Sequence, residues 1–385
     1  MTTPVKVGIV TTHPIQYYAP WFRVIDSDIH IHLKVYYLWQ PAADGKHDPE
    51  FQQKINWDIP LLQGYEYDWV KNTSTDPGTH HFNGIHNPDA ANQIAQWSPD
   101  YVVCLGYNFR TFVDLIFSRT LKSIPFLLRG DSHRLAVNNS ISQNIKDMLI
   151  RRLFRRFDAA LSCGIANQRY FHNLGFQSDQ IFFCPHGIDT ARFNPKPTPE
   201  VSVLREKWGI PKDHKIILFA GKFIDKKRPL DLLQAFQKVN PSQTTLLYIG
   251  DGALKKELAA SVSKNVVIQP FVNQSQMPNV YRAADLLVLP SLGGFETWGL
   301  AVQEALACGT PAIISDHCGC HLDLIQPNQN GLVFEAGSVK SLAECLTEAL
   351  KPGILEQWSH QPGDVLQRYN YETSLTGLKA SMGIK

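Results

Sequence analysis

The sequence predicts two α/β domains in series, each a parallel sheet covered by helices. Three observations carry this. Short apolar runs alternate with helix-length segments through most of the chain, the pattern of strands buried on both faces. The 385 residues exceed what one compact core usually covers. Near the middle, Asn194-Pro-Lys-Pro-Thr-Pro199 places three prolines where neither a helix nor a central strand can continue. That stretch reads as the linker, with domains over 1–193 and 194–365.

Taken in order, Val5-Lys-Val-Gly-Ile-Val10 is an alternating strand. A helix is expected over 15–25 and a strand over 31–37. Residues 40–90 show no clear period and are rich in His, Asp, Pro, Trp and Tyr. Connections that long are functional or hide short elements. Strands are then expected over 101–105, 125–128, 159–162 and 181–184, with helices over 108–119, 140–156 and 166–173. After the linker, strands fall at 215–220, 245–249, 265–269, 286–289, 311–314 and 331–334, with a helix between each successive pair. A last helix is expected over 371–382. Ligands of such sheets bind beyond the carboxyl ends of the strands, so two such domains imply a cleft.

Apolar residues make up 44% and charged residues 19%, which excludes disorder. Lys plus Arg is 37 against 35 for Asp plus Glu, a net charge of +2, so a bulk polyanion such as nucleic acid is not an expected partner. No apolar run approaches the roughly 18 residues that span a bilayer. The first residues lack the layout of an export signal. The 7 cysteines are scattered among apolar residues and read as reduced core side chains. These features together point to the cytoplasm.

The densest chemical signal runs from Leu289 to Pro311. A buried strand ends in Pro290-Ser291, a Gly293-Gly294 loop follows, and a helix begins near Trp298. Free N–H groups at a helix start after flexible glycines form an anion cradle. Glu296 precedes the helix. Glu304 lies eight residues on, about 12 Å along a helical rise, so the two acids suit two ends of one ligand. The ordinary alternative is an acid on an unremarked helix. A second signal, Gly221-Lys222-Phe-Ile-Asp-Lys-Lys227, leaves a strand end and leads into a helix. Its lysines suit a phosphate as point charges, although most lysine clusters are solvated turns. Two phosphate-type loops at strand ends of one sheet favour function.

These residues resemble the carboxyl-terminal half of the GT-B, family 4-type retaining glycosyltransferases. Glu296 and Glu304 match the family's E-x7-E motif and Gly309-Thr-Pro311 the turn after it. Gly221-Lys222 with Lys227 match its phosphate loop, and Tyr248-Ile-Gly-Asp-Gly252 the strand end that follows. The resemblance implies a GT-B fold: two Rossmann-like domains facing across a cleft, with the stretch from about 366 to 385 packed back on the first domain. It implies that Lys222 and Lys227 hold a donor diphosphate and that Glu304 bonds the ribose. Glu296 would bond the donor sugar, beside the backbone of Gly294, Phe295, Thr297, Trp298 and Gly299. Phe271 and Val272 correspond to the loop that packs on the nucleobase. Where the family often has Arg at the first basic position, this chain has Lys222, which keeps the charge and loses the bidentate fork. No metal or other cofactor is expected, since the lysines can take the charge of the leaving phosphate.

In the N-terminal half, His133 follows a strand and resembles the family's histidine facing the donor sugar, which makes it a catalytic candidate with Lys227 and Glu296. Arg129 and Asp131 would hold it or bind acceptor. His13, Gln16 and Tyr17 replace a glycine-rich loop after the first strand and are acceptor-side candidates, the alternative being an aromatic-packed helix start. The stretch from Lys146 to Phe157 places Ile150, Leu153, Phe154 and Phe157 on one face. Arg151, Arg152, Arg155 and Arg156 fall on another. Such a helix can dock on an anionic membrane at the cytoplasmic face, or be an ordinary domain helix with a charged exterior. Asp26-Ser-Asp28 reads as a surface turn. His317-Cys-Gly-Cys-His321 is not read as a zinc site, because adjacent ligands cannot readily share one tetrahedral ion; the resemblance implies a turn and helix start near the donor there.

The resemblance thus implies transfer of a sugar from a nucleotide-sugar to a hydroxyl of a glycan, lipid-linked or small-molecule acceptor, in bacterial polysaccharide or glycoconjugate synthesis. The rivals are another GT-B chemistry, such as an epimerase or phosphorylase, and a non-catalytic binding module. Residues 40–90 are expected to shape the acceptor side.

Overall fold

The computed structural model describes residues 3–40, 46–48, 53–136, 140–196, 198–261, 264–359 and 363–384; for 46–48, 53–55 and 363–365 only the backbone course is described. Pro197 of the expected linker, residues 41–45 and 49–52 of the aperiodic stretch, and residue 385 of the terminal stretch lie outside the described residues.

The N-terminal half contains β1 (Val5–Thr11), β2 (Ile31–Tyr37), β3 (Lys46–Asp48), β4 (Gln53–Ile55), β5 (Tyr67–Trp69), β6 (Tyr101–Leu105), β7 (Phe126–Gly130), β8 (Ala159–Ser162) and β9 (Ile181–Phe183). Apart from the antiparallel β3–β4 hairpin, they form a seven-stranded sheet in the order β5-β2-β1-β6-β7-β8-β9, with parallel pairing throughout. The second half contains β10 (Lys215–Ala220), β11 (Thr244–Ile249), β12 (Val266–Gln269), β13 (Leu286–Leu289), β14 (Ala312–Ser315) and β15 (Gly331–Phe334). They form a parallel sheet in the order β12-β11-β10-β13-β14-β15. In each sheet the strand order reverses beside its first strand, at β1/β6 and at β10/β13, and crevices open at such points.

The apolar runs follow from burial on both faces. In the first sheet Val7, Ile9 and Leu127 pack into one layer, and Val10, Cys104 and Leu128 into the other. In the second, Ile216, Leu218 and Leu287 face one layer while Ile217, Phe219 and Leu286 face the opposite one.

The terminal helix Tyr371–Ser381 packs on β8, β9 and the helix Tyr18–Asp26 of the N-terminal body. Lys379 pairs with Asp28 at 2.9 Å, and Leu378 is buried in that body's core. Gly377 permits the approach, since a Cβ there would lie 1.9 Å from the Phe183 carbonyl oxygen. The halves also join below the cleft. Gln303 Nε2 donates to the carbonyls of His186 (2.9 Å) and Tyr369 (2.6 Å), and Ile165 N–H donates to Asp323 at 3.0 Å.

Differences from expectation are local. The helix predicted over 15–25 begins at Tyr18, because Pro20 is tolerated only in a first turn. Residues 40–90 hold β5, which extends the sheet edge, and the helix Ala90–Trp97 begins where they end. Three residues are too few to show a period of two. In the helix Ile141–Phe154, the predicted apolar stripe turns inward: Ile150, Phe154 and the following Phe157 lie in the sheet's core. A different set, Ile141, Ile145, Met148 and Leu149, stands exposed.

Candidate active site

A cavity of about 390 Å³ lies between the two sheets, lined from both halves. On the C-terminal side, β10 ends at Ala220 and its loop carries Gly221 and Lys222 into the lining. Gly250 at the end of β11 has φ 151°, and a Cβ on it would meet the Gly221 carbonyl oxygen at 1.9 Å, so the two loops touch backbone to backbone. A 3₁₀ turn over Asp225–Lys227 then folds Lys227 back over the strand ends. Its ammonium forms an ion pair with the Glu296 carboxylate. Ser291 Oγ, just past β13, donates to the same carboxylate at 2.8 Å. The Leu292 N–H donates to the Lys226 carbonyl at 2.9 Å and fastens the two loops together.

Gly299, with φ 103°, turns the chain into the helix Leu300–Ala307. The first N–H groups of such a helix have no intrahelical carbonyl and carry the positive end of its dipole, and Gly299, Leu300 and Ala301 line the cavity. Glu304, further along this helix, is 3% exposed yet also lines the cavity. Tyr281 OH donates to it at 2.8 Å. Burial pushes its carboxyl up to about 7.

The N-terminal side supplies Gln16, Tyr17, Trp57 and Asp131. Burial, with the charge of Glu304 next, raises the Tyr17 phenol well above its ordinary range. Asp131 follows β7 and accepts from Thr297 Oγ1 at 2.8 Å, across the cleft. Burial pushes its carboxyl up, but His186 3.7 Å away, the Thr297 hydroxyl and the Arg129 charge outweigh this and hold it below the usual range. His133 Nδ1 accepts the Leu135 N–H at 3.3 Å, which leaves Nε2 to donate to the Glu296 carbonyl at 3.1 Å. Burial lowers the pKa of this ring, against the pull of that carbonyl. Asp131 and His133 therefore grip the 296–297 loop from the opposite domain.

The cavity thus gathers Gly221, Lys222, Lys227, Phe271, Val272, Glu296, Thr297, Trp298, Gly299 and Glu304 with Gln16, Tyr17 and Asp131. Other candidates stand apart from the lining. His13 bonds Thr12 at 2.9 Å and meets Trp39 edge to face. Phe295, next to Gly294, is 69% exposed, with Lys226 over its ring. Arg129 corrects the expectation that it holds His133 or binds acceptor. It is buried, donates to the carbonyls of Cys184 and Pro185, and lies over the Trp21 ring. Within β7 it alternates with Leu128 and points under the helix Tyr18–Asp26 rather than past the strand end.

Between His317 and His321 the side chains are engaged separately. His317 accepts the Gly293 N–H, and Cys318 and Cys320 are buried. Among the described residues, one group, Asp76, His80 and His81, is close enough to hold an ion, and none of the three lines the cavity.

Sequence reasoning missed Trp57, Gln274, Met277 and Tyr281, all in the lining. Met277 and Tyr281 sit one turn apart on the helix Met277–Ala283, just after the Phe271-Val272 loop. That spacing was a usable signal. Nothing in the sequence marks Trp57, which was expected on the acceptor side and stands opposite Phe271.

Residues 201–359 match the family model for glycosyl transferases group 1. The D-inositol 3-phosphate glycosyltransferase of Xylanimonas cellulosilytica is 31% identical over 185 residues, 45% of this chain and 43% of that protein. The chain spans about half the length of the curated relatives it matches. Among solved structures, HepE of Anabaena in complex with UDP and glucose superposes with a TM-score of 0.72 at 15% identity, covering 98% of this chain and 99% of that one. Sucrose-phosphate synthase of Thermosynechococcus elongatus does so with a TM-score of 0.75 at 16% identity, covering 98% of each. The chain has the GT-B fold, and its residues 201–359 are similar to the group 1 glycosyl transferases.

Proposed function

We propose that the chain is a retaining glycosyltransferase that moves a sugar from a nucleotide-sugar to an acceptor hydroxyl in polysaccharide or glycoconjugate synthesis. The observation that carries this reading is the ion pair of Lys227 with Glu296 at a helix start, with Lys222 beside it and Glu304 further down the same helix. In the structure the Lys227 ammonium holds the Glu296 carboxylate. A diphosphate carries more charge, so Lys227 exchanges Glu296 for the leaving phosphate and frees that acid to accept from sugar hydroxyls. The HepE complex with UDP and glucose supports a donor of this class.

The chemistry breaks the bond from the anomeric carbon to phosphate oxygen and forms one to the acceptor oxygen on the same face. The departing phosphate takes the acceptor proton. Lys222, Lys227 and the helix-start N–H groups stabilise the developing phosphate charge. Because the lysines supply this charge, turnover is expected to survive chelation of divalent cations. Melting with UDP, GDP, ADP, CDP or dTDP tests the reading. One nucleotide at about 100 times its Kd should stabilise the wild type by about 2.7 kcal/mol and Lys227→Ala far less. No response to any nucleotide would contradict it.

We place acceptor handling at an anionic membrane surface. Exposed Ile141, Ile145, Met148 and Leu149 share one helix with exposed Lys146, Arg151 and Arg152, and its acid, Asp147, is buried against Arg134. No helix among the described residues is long and apolar enough to cross a membrane, so contact by this helix would be interfacial. Phosphatidylglycerol vesicles should retain the wild type and release a Leu149→Ser, Arg152→Glu variant. Equal retention of both would remove the helix from the proposal.

A further inference from the structure

Three consecutive residues of the N-terminal half reach across the mouth of the cavity. Asn273 Nδ2 donates to the Asn56 carbonyl at 2.6 Å, the Ser275 N–H donates to the Asp58 carboxylate at 3.0 Å, and Ser275 Oγ donates to that carboxylate as well. Between these two fastenings Trp57 enters the lining and meets Phe271 with ring centroids 6.2 Å apart and planes at 68°.

The lining holds a charged group and an aromatic one. Lys227 and Glu296 are paired, with Lys222 on the same loop as Lys227, and Trp57 meets Phe271, which Val272 follows. A nucleoside diphosphate likewise joins a charged group to an aromatic one. Its phosphates belong with the lysines, which leaves the base to the Trp57–Phe271 pair, where every base can offer a π-face.

We propose that Trp57 forms a wall of the nucleobase pocket, with Asn56 and Asp58 as the fastenings that position it. This rests on the reading of the cleft as a nucleotide-sugar site and adds a base-binding residue from the opposite domain. It assigns part of the 40–90 stretch to the donor. Because residues 56–58 belong to one half and residues 271–275 to the other, base binding and closure of the two halves are coupled through this strap.

The experiment compares two probes, the nucleoside diphosphate that stabilises the wild type and inorganic pyrophosphate. Trp57→Ala should weaken the nucleoside diphosphate at least tenfold and leave pyrophosphate within twofold. Trp57→Phe should recover most of the loss, and Asp58→Ala should weaken the nucleoside diphosphate about threefold without affecting pyrophosphate. A general structural role would move both probes together. Equal loss of both probes in Trp57→Ala, or loss of neither, overturns the proposal. If the wild type binds no nucleoside diphosphate, the transferase reading fails first. If it binds one independently of Trp57, only the strap proposal fails.

Discussion

In the C-terminal wall of the cleft, cavity-lining groups come in short runs. Lys222 and Lys227 share one loop, and Glu296 and Glu304 share one loop and its helix. In the N-terminal wall, Gln16-Tyr17, Trp57 and Asp131 arrive from three separate segments and are brought together by tertiary packing. The first wall is built from short sequence runs, consistent with a family-model match over residues 201–359. The second works largely by contact with the first: His133 and Asp131 bond the backbone and side chain of residues 296–297, and residues 56–58 bond 273–275.

The contrast breaks most visibly at Lys227. Lys227→Ala should lower kcat/KM about 10²- to 10³-fold, the usual scale for a preorganised charge on a leaving group. Loss under tenfold would move the chemistry away from this wall. Glu304 should give the next largest effect. Its buried carboxyl sits at about 7 against an ordinary 4.5. The folded state therefore holds a proton that the unfolded state releases, and stability falls as pH rises from about 4.5 to 7. Glu304→Gln should remove that slope and stabilise the empty protein above pH 7 by on the order of 3 kcal/mol, while weakening nucleotide binding. Melting curves from pH 4.5 to 8 would contradict this if both proteins showed the same slope.

On the N-terminal wall, His133→Ala should cut kcat about tenfold and leave nucleotide affinity within twofold, because it loosens the Glu296 backbone without touching phosphate. Nucleotide affinity falling in parallel with kcat would merge the two walls into one binding unit. The smallest effect should come from the exposed helix face. Met148→Ser or Leu149→Ser should change stability by no more than about 0.5 kcal/mol, and a larger loss in denaturant titration would mean the face is covered.

The sequence made one wall more legible than the other for a physical reason. Lys222 and Lys227, and Glu296 and Glu304, lie at fixed spacings on a strand end, a turn and a helix start, so local geometry sets each pair, and the adjacency of β10 and β13 brings the two pairs together. The strands were legible because burial on both faces leaves continuous apolar runs. Trp57 has no such signature, because only the fold decides that residues 56–58 meet residues 273–275. Arg129 misled for a related reason. A cation near a strand end suggests a ligand, but alternation along β7 turns it toward Trp21 and the Cys184 carbonyl. In the helix Ile141–Phe154 the period was readable, but the apolar stripe it revealed belongs to the core, and the exposed apolar residues lie outside it.

The central claim is that Lys227 trades Glu296 for the donor's diphosphate, and calorimetric titration of the nucleoside diphosphate tests it most directly. Glu296→Gln releases the lysine from its partner, so this variant should bind the sugar-free diphosphate several-fold more tightly than the wild type, even as it loses transfer. Lys227→Ala should bind it at least 30-fold more weakly, about 2 kcal/mol by the affinity relation. The order Glu296→Gln, wild type, Lys227→Ala is the expected result. Weaker binding by Glu296→Gln, or unchanged binding by Lys227→Ala, would contradict the exchange.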